Sequence, residues 1–82
     1  MNWYNRIILA GLPILKLRDF SKKLKNLGFY LDRSRGHEIW KHPDGRTIPL
    51  PRHLGKDINP ALAYNIIKNQ VGMDVQDFMS VA

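Results

Sequence analysis

The chain has no cysteine in its 82 residues, which excludes disulfides and thiolate metal sites and makes an intracellular setting the expectation. It also lacks any apolar run near the ~20 residues that a membrane-spanning helix needs. Ile7 to Leu17 comes closest, and Pro13 and Lys16 interrupt it. Arg6 ahead of that run has the outline of a secretion signal, but no small-residue cleavage site follows before the charged helix. The segment is therefore expected to join the folded domain, in a cytoplasmic protein. Acidic residues are scarce too, seven against thirteen Lys and Arg. No repeat, low-complexity tract or linker divides the chain. With 44% hydrophobic and 24% charged residues, residues 1–82 are expected to form one globular domain with a modest core.

The charge that is present is unevenly spread. Residues 16–56 hold eleven Lys and Arg against four Asp and Glu, a local balance of +7, whereas residues 57–82 hold Lys68 against Asp57, Asp74 and Asp77, a balance of −2. A positive field concentrated at the centre of a chain can steer and hold an anionic polymer. A solubilising surface would show the same excess, so charge alone does not choose between them.

Periodicity supplies the elements. Trp3, Ile7 and Ala10 stand at helical spacing and stop at Gly11, which predicts a short N-terminal helix over residues 1–11. That segment would cover the core or form a self-association or partner interface, and core packing is preferred because one short helix can bury these groups unaided. Leu17, Phe20, Leu24 and Leu27 form the apolar stripe of an amphipathic helix that Gly28 ends. Lys22, Lys23 and Lys25 lie off that stripe, as a solvated face or a phosphate-contacting strip.

Phe29 to Arg33 alternates as a strand, with Phe29, Leu31 and Arg33 on one face and Tyr30 and Asp32 on the other. Arg35-Gly36 turns the chain into a second strand, His37 to His42. Pro43-Asp44-Gly45 is a strong turn signal before a third strand, Arg46 to Leu50. Pro49 has no N–H to donate, so the third strand should lie at the sheet edge or carry a bulge. Asn59-Pro60 opens another helix as N-cap and first residue, with Leu62, Ala63, Ile66, Ile67 and Val71 apolar and Gly72 as its end. Asp74 to Asp77 caps a last helical turn that tucks in Phe78 and Met79. Helix, three antiparallel strands and helix, with a helical piece at each end, make an α+β two-layer arrangement.

The chemistry concentrates between Arg33 and Arg46. An imidazole can give and take protons near neutrality, and arginines and lysines hold phosphodiester backbones. His37 stands at the mouth of the predicted hairpin among Arg33, Arg35, Lys41, Arg46 and Arg52. Taken alone, a strand histidine is more often a hydrogen-bonded structural residue than a catalyst. Glu38 points to the opposite face from His37 and cannot orient its ring. His42 is expected to be solvated beside its turn, and His53 to fix the loop that leads into the last helix. Trp40 and Tyr30 can stack on bases, though strand aromatics more often pack across strands. Three histidines without a close pair do not make a zinc site, and no metal or other cofactor is expected.

The residues from about Leu12 to Met79 resemble the HicA family of small mRNA-cleaving toxins, which pair with HicB antitoxins. The likeness rests on Leu27-Gly28-Phe29, on Arg33, and on His37-Glu38-Ile39-Trp40-Lys41-His42-Pro43-Asp44-Gly45-Arg46. Pro51-Arg52-His53, Asn59-Pro60, the run Ile66 to Gly72, and Phe78 complete it. No piece is specific alone; their order and spacing are. The resemblance implies a fold like the double-stranded-RNA-binding domain, with two helices on one face of a three-stranded sheet. It also implies a metal-independent endoribonuclease toxin with His37 as general base, mRNA as substrate and a HicB-like antitoxin as partner. The family's histidine usually follows a Gly-Ser or similar small pair; here Arg35-Gly36 precedes it, without serine. The alternative on the same fold is an RNA-binding module that does not cleave.

Overall fold

The computed structural model describes residues 15–51 and 57–82. The expected N-terminal helix over residues 1–11, Arg52 and His53 lie outside the described residues.

Helix α1, Leu17–Asn26, forms on the expected stripe, burying Leu17, Phe20, Ser21 and Leu24. Asp19 in its first turn and Lys23 and Lys25 in its last complement the helix dipole. The chain leaves it through Leu27 and Gly28, whose φ of +98° no ordinary side chain adopts easily. Three antiparallel strands follow in the spatial order β1, β2, β3: Tyr30–Arg33, His37–Lys41 and Thr47–Pro51. Pro49 sits opposite Ile39 in β3, an edge strand, as its missing N–H requires.

Burial assigns the two faces. Glu38, Trp40, Ile48 and Leu50 are buried, and the last three meet Phe20 and Leu24 of α1 and Ile66, Ile67, Val71 and Phe78 in one core cluster. Their alternates His37, Ile39 and Lys41 on β2 and Thr47, Pro49 and Pro51 on β3 turn away from that core. The helices thus cover one face of the sheet, in an α+β arrangement compatible with the one the resemblance implies. No described helix is long and apolar enough to cross a membrane.

One strand departs from simple alternation. Leu31 opposes Trp40, but Arg33, not Asp32, opposes Ile39, so Asp32 is an extra residue in β1. Such a bulge reverses the side-chain sense beyond it. Arg33 therefore joins Tyr30 and Asp32 on the open face, where unbroken alternation put it with Phe29 and Leu31. Leu31 stays on the helix side but at the sheet edge, 44% exposed.

The helix expected after Asn59 divides in two. The Asn59 side chain accepts from the amides of Ala61 (2.8 Å) and Leu62 (3.4 Å), capping α2, Pro60–Asn65. Residues Ile66–Val71 then widen into a π-helical turn. The inward stripe is Ala63, Ile66, Ile67 and Val71, and it leaves Leu62 41% exposed rather than in the core. Ala63, the smaller neighbour, takes the inward position. In α3, Val75–Met79, the Asp74 side chain caps the Gln76 amide at 3.0 Å. Phe78 packs on Phe20 with ring centroids 4.8 Å apart. The Lys23 ammonium reaches back to the carbonyls of Met79, at 3.0 Å, and Val81, so this lysine secures the chain after α3 and is not a free cation.

Candidate functional site

Gly36 (φ +68°) and a 2.7 Å bond from the His37 N–H to the Arg35 carbonyl make a three-residue turn between β1 and β2. The turn delivers His37 as the first residue of β2, exposed on the open face and opposite Pro51. Among the described residues no side chain hydrogen-bonds the His37 imidazole. Arg52 follows Pro51 directly in sequence.

Arg33 lies across from Ile39, two residues along β2 from His37, or about 7 Å at ~3.4 Å per residue. A guanidinium on its flexible stem can span that gap. Arg35 is exposed in the turn itself. Lys41 shares the face but stands four residues from His37, roughly 14 Å along the strand. The Asp32 carboxylate pairs with Lys41 at 3.4 Å and with Arg33 at 3.9 Å. These exposed pairs contribute little to stability, but they hold two cations over the same strip of sheet. The open face therefore brings His37, Arg33 and Lys41 together, with Arg35 at its end.

Arg46 is placed elsewhere. Its Nε meets the Asp44 carboxylate at 2.7 Å, its Nη1 donates to the Val71 carbonyl, and its guanidinium lies 4.9 Å from the centroid of the Phe29 ring. The Asp44 contact closes the β2–β3 turn on itself, the Phe29 contact ties it to the start of β1, and the Val71 contact ties it to the helical layer, all at the far end of β2 from His37. The Arg46 backbone N–H, donated to Asp44 at 3.0 Å, holds that carboxyl below the usual carboxylate range, and the guanidinium adds to the effect.

His42, expected to be solvated, is also built into this turn. Its Nδ1 accepts from the Asp44 amide at 3.1 Å, which puts the proton of the neutral ring on Nε2, 3.2 Å from the Leu27 carbonyl. In the protonated ring, Nδ1 would instead donate to the Asp44 carboxylate 3.0 Å away. Its ring meets the Phe29 ring edge-on at 5.0 Å. Trp40 is buried and its Nε1–H donates to Glu38 at 3.1 Å, so the indole belongs to packing, and Glu38 faces away from His37. Tyr30 is left on the open face. No group of three His, Asp or Glu among the described residues could hold a metal ion.

The assembly is a small α+β domain whose helices shield one sheet face and whose other face presents an exposed histidine with cations beside it. Such a surface suits a phosphodiester better than a small-molecule substrate, which calls for a concave site. The sequence pattern of the family described as HicA toxin of bacterial toxin-antitoxin matches residues 17–73. The chain belongs to that family and is the toxin of a toxin–antitoxin system, with an antitoxin as its implied partner. No curated protein and no solved structure matches the chain.

Proposed function

We propose that the protein is an endoribonuclease toxin acting on mRNA in the cytoplasm, with His37 as general base. The observation that carries this reading is the exposed imidazole of His37 on the same face as Arg33 and beside Arg35. His37 would take the proton of a ribose 2′-hydroxyl, and that oxygen would attack the adjacent phosphorus. The P–O5′ bond then breaks, leaving a 2′,3′-cyclic phosphate and a 5′-hydroxyl end. The proton held by His37, or one from water, goes to the departing oxygen. Arg33 and Arg35 are the cations close enough to balance charge building on the phosphate. Lys41, farther along the strand, serves RNA binding. Arg52, next in sequence after Pro51, is a further cation for RNA binding, and a HicB-like antitoxin neutralises the toxin by covering His37.

Expression of the chain in a tolerant bacterial host is expected to arrest growth and deplete mRNA, and purified protein should cut RNA equally well in excess EDTA. Loss of cutting in EDTA with recovery on added magnesium would refute the metal-free route. A harmless protein that still bound RNA would instead be a binding module. That second reading is favoured by one observation, that no described side chain orients the His37 ring.

The cations are separable by salt. Removing Arg33, Arg35 or Lys41 should weaken RNA binding alike across sequences and lower the slope of log affinity against log salt by about 1 each. Arg46→Ala should lower the melting temperature and leave that slope unchanged, since its guanidinium is engaged with Asp44, Val71 and Phe29. Binding titrations at several salt concentrations check this. A change of sequence preference at constant slope would mean base contacts instead.

A further inference from the structure

We propose that the open sheet face is a track for single-stranded RNA, on which Tyr30 stacks one base at a fixed distance from the phosphate held at His37. This rests on the reading of His37 as the cleavage site and adds a specificity-determining residue and a strandedness to it.

Tyr30 is 49% exposed, while Phe20, Phe29, Trp40 and Phe78 are buried. The register sets it opposite Lys41, and it alternates with Phe29 and Leu31, so its ring lies on the His37 side of the sheet. The bulge at Asp32 adds Arg33 to that side. Asp32 braces Lys41 at 3.4 Å and Arg33 at 3.9 Å, and it is the one acid on this face among the described strand residues. The rest of the floor is uncharged: Ile39, Thr47, Pro49 and Pro51. A flat surface with an aromatic ring, flanking cations and a low apolar floor offers stacking to a base and charge to its backbone.

Geometry sets the spacing. Tyr30 is level with Lys41, roughly 14 Å along the strand from His37, which is more than one nucleotide even in an extended strand. The stacked base therefore lies away from the cut. A duplex cannot use this platform, because its base faces are already stacked inside the helix. An antitoxin that covers His37 would compete for this face, but Arg33 and Lys41 around Ile39 supply the charge that an anionic backbone needs and that the centre of a protein interface usually lacks.

The test measures binding of a short unstructured fluorescent RNA, and of its duplex, to proteins carrying His37→Ala so that the RNA is not cut. Adding Tyr30→Ala is expected to weaken single-strand binding roughly tenfold, in line with the loss of one base–aromatic stack. Tyr30→Phe should bind as the His37→Ala protein does, and duplex binding should be insensitive to both changes. Tyr30→Thr, which keeps strand propensity, should behave as Tyr30→Ala if the ring is what matters. A 2-aminopurine probe moved along the RNA should be quenched at one position, more than one nucleotide from the cut mapped with the His37-containing protein. Unchanged single-strand binding in Tyr30→Ala and Tyr30→Thr, with cleavage intact when His37 is present, would overturn the platform and leave the nuclease standing. Equal loss on duplex would overturn the strandedness. Intact RNA binding with a broken antitoxin complex would assign the face to the protein partner. If the His37-containing protein neither bound nor cut RNA, the platform and the nuclease reading would fall together.

Discussion

His37→Ala is expected to lower RNA cleavage by about 10²–10⁴-fold, the usual contribution of a positioned general base, and to abolish growth arrest with it. The side chain is exposed, no described side chain bonds it, and its backbone contact to Arg35 survives substitution. The melting temperature should therefore stay within the small range typical of surface changes. RNA affinity at fixed salt should change little, because Arg33, Arg35 and Lys41 remain. Initial rates, with binding and melting curves beside them, make the check. A His37→Ala protein as active as its parent would remove the catalytic assignment, whereas one that failed to fold would point to a structural histidine.

Sequence made the local features legible. The stripe of Leu17, Phe20 and Leu24, the stop at Gly28, the cap at Asn59-Pro60 and the edge position of Pro49 each follow from chemistry within one turn or one strand, and each stands as expected. His37 was legible for the same reason: its place at the start of a strand depends on a neighbouring Gly36. What escaped depends on distant partners. The bulge at Asp32 is a property of the β1–β2 pairing, so the face that Arg33 occupies could not be read from β1 alone. Arg46 looked like one more cation in a basic stretch, and its engagement arises where the Val71 carbonyl meets it across 25 residues of chain. The Leu27 carbonyl that holds His42 is 15 residues away. The widening at Ile66–Val71 has no glycine or proline to mark it. The cost of reading charge without partners was to place Arg46 with the site, when its contacts support the opposite end of the sheet.

Among the described glycines, Gly28→Ala is expected to be the most damaging substitution, for two reasons that can be separated. At φ +98° an alanine is strained whatever surrounds it, a cost of about 1–3 kcal/mol. Its Cβ would also stand 2.9 Å from Nε2 of His42. That nitrogen cannot retreat freely, since it bonds the Leu27 carbonyl while Nδ1 holds the Asp44 amide and the ring edge meets Phe29. Displacing it forfeits about 1 kcal/mol more for a hydrogen bond. For a domain of this size, the sum implies a melting temperature lower by roughly 10–25 °C. Gly36→Ala is the control: its φ is +68°, but nothing lies within 4 Å of the new Cβ, so backbone strain acts alone, at about 1–2 kcal/mol. Denaturant titration of both variants should rank Gly28→Ala well below Gly36→Ala. Combining Gly28→Ala with His42→Ala should cost less than the two separately, because the clash is then already relieved. Strict additivity would mean that His42 is not what Gly28 makes room for. The damage should stay at this end of the sheet. His37 lies five residues away along β2, so the folded fraction of Gly28→Ala should cut RNA at the parent's rate per molecule, whereas Gly36→Ala, in the turn that presents His37, should slow cleavage by more than its stability accounts for.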